Sequence, residues 1–490
     1  MSSLPIEPES GWNVLFLDGE WTSPDDRDAI EVENPFTREP IATVPAATTD
    51  DVDAAYRAAE AAQSSWANQP PQRRAGIVNR VLRTVGKRWD DVIELLAIES
   101  GSASVKAVAE LQTAKGMLQQ AASYPYRMGG EHHDSIVPGK ENLVERVPVG
   151  VVGVISPWNF PFHLSMRAVG PAIAAGNAVV LKPASNTPIT GGLLLAHLFE
   201  EAGLPEGVLN VVPGRGSEIG DAVAGHETPR VLAFTGSTEV GKQVAEQAAA
   251  NLALPALELG GNNVHVVTDS ADLERAIDGA VFGSFLHQGQ ACIAINRHLV
   301  HEDHYDEYVE ALADRAESLP TGDPLDDDTV IGPVIDESQR DSMLDHVADS
   351  VDDGARVVTG GGHDGLVVEP TVLADVTNDM PAACNEHFGP IAPVIPYGDD
   401  AEAIELANDT DHGLSGSVHA TDLSQARRIA DGIETGMVHI NDQPINDEPH
   451  VPFGGMKESG LGRYNAHAIL DELTTTKWIS IQREPREYQF

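Results

Sequence analysis

Residues 149–183 read VGVVGVISPWNFPFHLSMRAVGPAIAAGNAVVLKP. The run VGVVGVIS has strand composition, FHLSMRAVGPAIAAG suits a helix, and NAVVLKP is a second strand-like run. Strand, helix and strand in so short a span imply a βαβ unit, and such units build a parallel sheet. The pattern continues through strand-like GVLNVVP and RVLAFTG, with TPITGGLLLAHLFEEAG and SEIGDAVAG as helices between them. A second set follows. NVHVVTD, ARVVTGG, SGSVHAT and GMVHIN read as strands, interleaved with SADLERAIDGAVFGSFL, HYDEYVEALADRAESL, DAEAIELAND and LSQARRIADGIE. The chain is therefore expected to be an α/β protein with two α/β domains. The boundary falls near LELGG, residues 257–261.

Upstream, the first 120 residues read as helical. In GIVNRVLRTVGKRWDDVIELLAIESG, Ile77, Val78, Val81, Leu82, Val85, Trp89, Val92, Leu95 and Leu96 recur at three- and four-residue spacing, and Gly101 is a stop. Residues 121–149 lose that period and read as an extended excursion or hairpin. The C-terminal TTKWISIQREPREYQF begins as an alternating strand that could pair with this excursion or with a neighbouring subunit. No fixed-period repeat and no low-complexity segment is present.

Composition narrows the function. With 490 residues and 41% hydrophobic residues, the chain can bury a large core. It has no 18-residue apolar run and no signal-peptide pattern at its start, so a soluble protein of the cytoplasm is expected, with no membrane partner. Two cysteines allow at most one bridge and no metal site. The 76 acidic residues outnumber the 31 basic ones, giving a net charge of −45, and only eight of the basic residues are Lys. The acids are scattered (TSPDDRD, GDPLDDDT, SVDDGAR, YGDDAEA), which suits a solvated protein in a salt-rich cytoplasm. The same charge repels phosphate backbones, so nucleic acid is not an expected partner.

Several short stretches suit a dinucleotide cleft. GRGSEIG fails the Gly-x-Gly-x-x-Gly test, because its last glycine, Gly220, falls one residue late; alone it reads as a loop before a helix. FTGSTEVGKQV places Ser237 or Thr238 as a helix cap after a strand, a connection that also serves no ligand. Lys182, at the end of a strand, can reach a ribose or phosphate beyond the strand ends, or solvent. Cys292 follows a polar turn where a helical segment breaks, and reads either as a core residue or as a nucleophile. Glu258, in LELGG, is either a hydrogen-bonded structural carboxylate or a desolvated base. Cys384 has no such setting.

PWNFP, GNAVVLKP, FTGS, LELGG, GQAC, EHFGP and PFGGMKESGLGR occur in order, and the chain from about residue 10 to 480 resembles the aldehyde dehydrogenase superfamily. The resemblance implies an aldehyde dehydrogenase-like α/β fold in three parts. These are a Rossmann-like cofactor domain (1–120 and 150–257), a catalytic domain (258–474) and a β oligomerisation arm (121–149 and 475–490). The family binds its dinucleotide on a five-stranded variant without the usual glycine fingerprint. The implied chemistry is oxidation of a small-molecule aldehyde to its acid with NAD or NADP. Cys292 would be the nucleophile. The Asn159 amide, with the Cys292 backbone N–H, would hold the oxyanion. Glu258 would be the base that activates water. Without the resemblance, Asn159 would read as an Asx-turn before Pro161.

Position by position, the resemblance assigns Lys182 to the adenine ribose, Ile155 and Trp158 to the cleft wall, and Gly216 and Gly220 to the adenine side. Ser237 would contact the pyrophosphate, Glu386 the nicotinamide ribose and Phe388 the ring, with Leu259 completing the set. Ser185 departs from the pattern: strict NAD users often carry Glu there, so the cofactor is NAD or NADP. LHQGQACIAINR and HINDQPINDEPHVPFGG look like the benzaldehyde and vanillin dehydrogenase branch. The substrate tunnel would be lined near Phe160, His163, Leu164, Arg167, Leu286, Ile293 and Phe453. An aromatic aldehyde is the expected substrate, with an aliphatic or sugar-derived semialdehyde as the alternative. A CoA-acylating dehydrogenase would generally lack Glu258, and a non-catalytic relative would not keep Cys292, Asn159 and Glu258 together. A homodimer or homotetramer is expected.

Overall fold

The computed structural model describes residues 4–24 and 27–488. Asp25 and Asp26 of the acidic stretch TSPDDRD, residues 1–3, and the last two residues of the expected arm lie outside the described residues. At the centre is an eight-stranded sheet. Its order is Glu20–Thr22, Leu15–Leu17, Leu209–Val211, Ala178–Lys182, Val151–Ile155, Val231–Thr235, Leu254–Glu258 and Gly460–Leu461. The middle five strands are parallel. In chain order they run 3-2-1-4-5, so the connections reverse direction between Val151–Ile155 and Val231–Thr235. A crevice opens beyond the carboxyl ends of strands at such a switch point.

The helix Pro161–Ala175 starts beside this switch point, and every one of its residues is buried. It starts with Pro at its first position and stops at Gly176, whose φ of 101° is a left-handed cap. A helix buried on all sides belongs to the core, so the side chains of its first two turns are held rigidly at the crevice. Pro71–Lys87 adds its apolar face to the same core, Thr49–Ala67 packs Val52, Ala55, Tyr56 and Ala59 in a second cluster with Val151, Ala178 and Val180, and the helix Ser104–Ala121 packs along Pro161–Ala175.

The expectation of an all-helical N-terminus is corrected. Four strands, Leu15–Leu17, Glu20–Thr22, Ala29–Glu33 and Pro40–Pro45, precede the helices. The first two form a hairpin turning at Asp18 (φ 50°) and Gly19 (φ 79°). Asp-Gly is the residue pair that such a two-residue turn favours. Ala29–Glu33 alternates exposed and buried residues, the period of two that marks a half-buried strand.

After Glu258 the chain changes sheets. Asn263–Val267 belongs to a seven-stranded sheet ordered Arg356–Thr359, Thr371–Ala374, Ile391–Tyr397, Ile295–His301, Asn263–Val267, Gly416–His419 and His439–Ile440. Three of these, Ile295–His301, Thr371–Ala374 and Ile391–Tyr397, are absent from the sequence expectation. Their composition hides them: Ile391–Tyr397 contains Pro393 and Pro396, and Ile295–His301 carries Arg297 and His298 in its interior. Arg297 is buried because its guanidinium donates to Asn378 Oδ1 and to the carbonyls of Asn262, Leu406 and Ala407.

A separate three-stranded sheet joins Thr474–Gln482, Lys140–Pro148 and Glu131–Asp134, with Thr474 opposite Pro148 and Gln482 opposite Lys140. The segment before it departs from the expected 258–474 partition. Gly460–Leu461 pairs with Leu254–Glu258, and Tyr464, Ile469, Leu470 and Leu473 pack into the core of the first sheet. Among the described residues no helix is long and apolar enough to cross a membrane.

Even if every basic side chain took an acidic partner, a net charge of −45 would remain. Exposed ion pairs contribute little each, so self-repulsion is the dominant surface term. The Debye length falls from ~10 Å at 0.1 M salt to ~3 Å at 1 M. The melting temperature is therefore expected to rise by at least about 4 °C between 0.1 and 1 M KCl, the shift that ~2 kcal/mol produces in a large domain. Scanning calorimetry at the two salt concentrations checks this, and a flat melting temperature contradicts it.

Candidate active site

Cys292 reaches the crevice through a turn of unusual backbone. The helix Leu273–Phe285 ends, and three consecutive residues adopt left-handed conformations: His287 (φ 53°), Gln288 (φ 56°) and Gly289 (φ 70°). Such geometry costs ~1 kcal/mol or more for each non-glycine residue and persists only where packing enforces it. Here the whole turn is buried. A Cβ on Gly289 would lie 2.1 Å from the Gly389 carbonyl oxygen, so that position takes only glycine. Gln290 is anchored on both sides: its carbonyl accepts from Asn159 Nδ2 at 2.8 Å and its side-chain oxygen from Ile335 N–H at 3.0 Å. Asn263 Nδ2 donates to the carbonyls of Cys292 (2.8 Å) and Ala294 (2.7 Å). The Cys292 N–H finds no acceptor among the described residues. The nucleophile position is thus fixed while its own amide and thiol stay uncommitted.

Glu258 ends the strand Leu254–Glu258 and is 2% exposed, yet neither carboxylate oxygen has a hydrogen-bond partner. A buried, unpartnered carboxylate resists ionisation. Burial pushes Glu258 up to about 8, against the opposing pull of Arg167. The Cys292 thiol, only partly exposed, is pushed up to about 12 by burial and by the nearby Glu386 and Glu258 carboxylates. Both side chains line one cavity of about 260 Å³. A thiol of this kind does not ionise spontaneously at neutral pH and needs a neighbouring base. Glu258 is the carboxylate in the same cavity with no other commitment.

The two glycines of LELGG make this approach possible. A Cβ on Gly260 would sit 2.3 Å from Glu386 Oε2, and one on Gly261 would sit 2.4 Å from the Cys292 carbonyl oxygen. Gly261 N–H also donates to Glu386 Oε1 at 3.0 Å. Burial pushes Glu386 up to about 7.

Of the expected cofactor residues, Trp158, Ser237, Leu259, Glu386 and Phe388 line the same cavity as Cys292, Asn159 and Glu258. The Phe388 ring meets Trp158 edge-on at 5.6 Å between centroids. Ser237 is the N-cap of the helix Thr238–Ala250, but its hydroxyl caps nothing, so the hydroxyl and the first N–H groups are free for an anion. Ile155 and Lys182 stand opposite each other at the ends of adjacent parallel strands. Lys182 is 5% exposed, its ammonium makes one long contact to the Pro183 carbonyl (3.3 Å), and burial lowers it to about 8. Ser185 lines a second cavity of about 320 Å³ with Asn186 and Arg215. Gly216 and Gly220 lie on the helix Gly216–Ala224, where an added Cβ would meet nothing, which leaves a flat open face. Lys182, Ile155, Gly216 and Gly220 line neither cavity.

All seven expected tunnel residues, Phe160, His163, Leu164, Arg167, Leu286, Ile293 and Phe453, line a further cavity of about 130 Å³. Cys292, Asn159 and Leu164 belong to the walls of both this cavity and the larger one. The thiol therefore stands at the junction of two chambers. Sequence reasoning missed Gln339 and Ser342 of the larger cavity, which share a face of the helix Glu337–Asp352. It also missed Ala109, Glu110, Thr113 and Phe282, and Ile445 and Asp447, although the last two lie within the quoted HINDQPINDEPHVPFGG. Glu110 had a weak signal, being a carboxylate four residues after Lys106 on the apolar face of a helix.

Residues 21–479 match the family model described as the aldehyde dehydrogenase family. The chain belongs to this family. It is 45% identical to the benzaldehyde dehydrogenase YfmT of Bacillus subtilis, over 98% of this chain and 99% of the relative. It is 46% identical to a vanillin dehydrogenase of Corynebacterium glutamicum, over 95% and 97% respectively. The crystal structure of a betaine aldehyde dehydrogenase from Staphylococcus aureus in complex with NAD+ superposes with a TM-score of 0.95. It is 33% identical and covers 98% of this chain and 96% of its own. An aldehyde dehydrogenase that positions its thiol through glycine contacts should not tolerate bulk there. Gly261→Ala is expected to lower kcat by at least about 100-fold, the effect of displacing a reacting atom by ~1 Å. Steady-state kinetics alongside circular dichroism checks this, and near-normal kcat in a folded variant contradicts it.

Proposed function

We propose that this protein oxidises an aromatic aldehyde of the benzaldehyde or vanillin type to its carboxylic acid, with NAD or NADP as oxidant. The observation that carries this reading is the place of Cys292 and Asn159 in the walls of both the cleft at the strand ends and the aldehyde-sized tunnel, with Glu258 beside them. The similarity to benzaldehyde and vanillin dehydrogenases supports the aromatic substrate.

The residues fit a dinucleotide. An ammonium with one long contact lies at the strand ends, an uncommitted hydroxyl sits at a helix N-terminus, and a helix face of glycines is open. Lys182 would hold the adenine ribose with Ser185 nearby, Gly216 and Gly220 the adenine side, and Ser237 the pyrophosphate, with Ile155 and Leu259 in the cleft wall. Glu386 would hold the second ribose, with Trp158 and Phe388 about the nicotinamide. Ser185 neither grips both ribose hydroxyls nor repels a 2′-phosphate, so either dinucleotide is accommodated.

The aldehyde enters through the tunnel, and the Cys292 sulfur adds to its carbonyl carbon after its proton passes to Glu258. The oxyanion of the thiohemiacetal accepts from the Asn159 amide and the unpaired Cys292 N–H. NAD(P)+ supplies the two-electron oxidation of the thiohemiacetal to the thioester. Glu258, having lost its proton through solvent, then removes one from a water that attacks the thioester carbon. The acid leaves and Cys292 regains its thiol. Because Glu258 provides this hydrolytic step, no CoA acceptor is needed.

The three-stranded sheet is read as an oligomerisation arm. Its strands Glu131–Asp134 and Thr474–Gln482 bury almost nothing, and Trp478 is 67% exposed, so the sheet lacks the packed face that such small sheets need. A homodimer or homotetramer would cover it. Two unbridged cysteines suit a reducing cytoplasm.

With benzaldehyde at molar KCl and no CoA, reduced-cofactor absorbance at 340 nm is expected to rise steadily. Cys292→Ala should abolish turnover and leave dinucleotide affinity within a few-fold. Glu258 acts only when deprotonated, and its burial sets that point at about 8, so turnover should fall about tenfold per pH unit below it. Turnover in Cys292→Ala, or an absolute requirement for CoA, contradicts the reading.

A further inference from the structure

One group in the tunnel is left unused by this chemistry. Arg167 is 3% exposed, yet its Nη2 and Nε atoms have no hydrogen-bond partner. The guanidinium stacks on Phe453 at 4.0 Å and on Tyr464 at 4.9 Å, which fixes its plane and leaves its edge free. A buried guanidinium with unsatisfied donors is unfavourable unless a ligand completes it.

The surroundings limit what that ligand can be. Arg167 Nη1 lies 3.6 Å from Asp447 Oδ2, which also meets His163 Nε2 at 3.0 Å, and Asn465 Nδ2 donates to Asp447 Oδ1 at 2.6 Å. Although burial opposes its charge, Asp447 is held well below the ordinary carboxylate range by Arg167, His163 and Asn465. The other acid of the wall, Glu110, is matched by Lys106, whose Nζ lies 2.6 Å from Glu110 Oε2. The two cations and two anions of this region cancel. A substrate carboxylate would add an uncompensated negative charge to this balanced, buried wall, whereas an uncharged hydroxyl would not.

We propose that Arg167, tethered by Asp447, is a specificity residue that donates its free Nη2–H to a ring hydroxyl of a hydroxylated aromatic aldehyde. The hydroxyl hydrogen is left for Asp447 or for His163 Nδ1, which also lacks a partner. The pair thereby selects against semialdehydes that end in a carboxylate. This inference rests on the aromatic-aldehyde reading above and names the substituent that the tunnel recognises.

The test measures kcat/KM for benzaldehyde, 3-hydroxybenzaldehyde, 4-hydroxybenzaldehyde and succinate semialdehyde. In Arg167→Met, the better hydroxybenzaldehyde should lose roughly ten- to hundredfold relative to benzaldehyde, chiefly through KM, the range for one hydrogen bond to a charged group. Comparison with wild type cancels the electronic effect of the hydroxyl. R167M/D447N, which removes both charges of the pair, should show the same loss and guards against misfolding of the single variant. Asp447→Asn leaves Arg167 unbalanced and should raise the relative kcat/KM for succinate semialdehyde by about tenfold or more. A proportional loss on all four substrates, or an unchanged hydroxyl ratio, overturns the proposal while the aromatic reading stands. If wild type oxidises no aromatic aldehyde, that reading fails and the proposal falls with it.

Discussion

The chain crosses from one sheet to the other between Glu258 and Asn263, and the geometry of the site depends on how little room that crossing takes. Gly260 and Gly261 have no side chains, so the Glu386 carboxylate can close on one and the Cys292 carbonyl on the other. The same crossing leaves Glu258 at the end of the first sheet, while Asn263, at the start of the second, holds the Cys292 carbonyl. Gly454 contributes from a third direction, since a Cβ there would lie 2.9 Å from Glu258 Oε1. Base and nucleophile are brought together by backbone close approach, so their side chains remain free to react.

That freedom carries an energetic penalty. A buried carboxyl without partners and a partly buried thiol both resist ionisation, and leaving a charged group unpaired in a protein interior is among the larger destabilising terms available. The fold supports it with rigid surroundings: a fully buried helix, a left-handed turn held by neighbouring backbone, and parallel strands whose ends define the crevice. The charged wall of the tunnel follows the opposite logic. There Lys106, Glu110, Arg167 and Asp447 pair off, so the chamber carries charge without net charge.

Much of this is legible in the sequence because strand–helix alternation between residues 149 and 258 is strongly patterned, and because ordered motifs mark the site residues. The parts that were not legible share a physical cause. The strand Ile295–His301 is hidden by Arg297 and His298, whose burial depends on partners 10 to 110 residues away that no local pattern shows. The N-terminal strands are short and give way to the stronger helical period that follows, although Asp18-Gly19 marks their turn. Gln339 and Ser342 reach the cleft from a polar surface helix whose sequence gives no sign of it. The return of Tyr464 and Leu473 to the first core is tertiary packing that periodicity cannot express.

The central claim is that Glu258, buried and unpartnered, is the base for hydrolysis of a Cys292 thioester. Rapid mixing of Glu258→Gln with aldehyde and oxidised cofactor, followed by intact-mass and peptide analysis, tests it most directly. A single, slowed burst of reduced cofactor is expected, approaching one equivalent per site and then stalling, with the acyl group retained on the peptide containing Cys292. Because thiol addition also draws on Glu258, the rate of that burst is partly restored as pH rises. Normal steady turnover by the folded variant, with no acyl group on Cys292, would contradict the account.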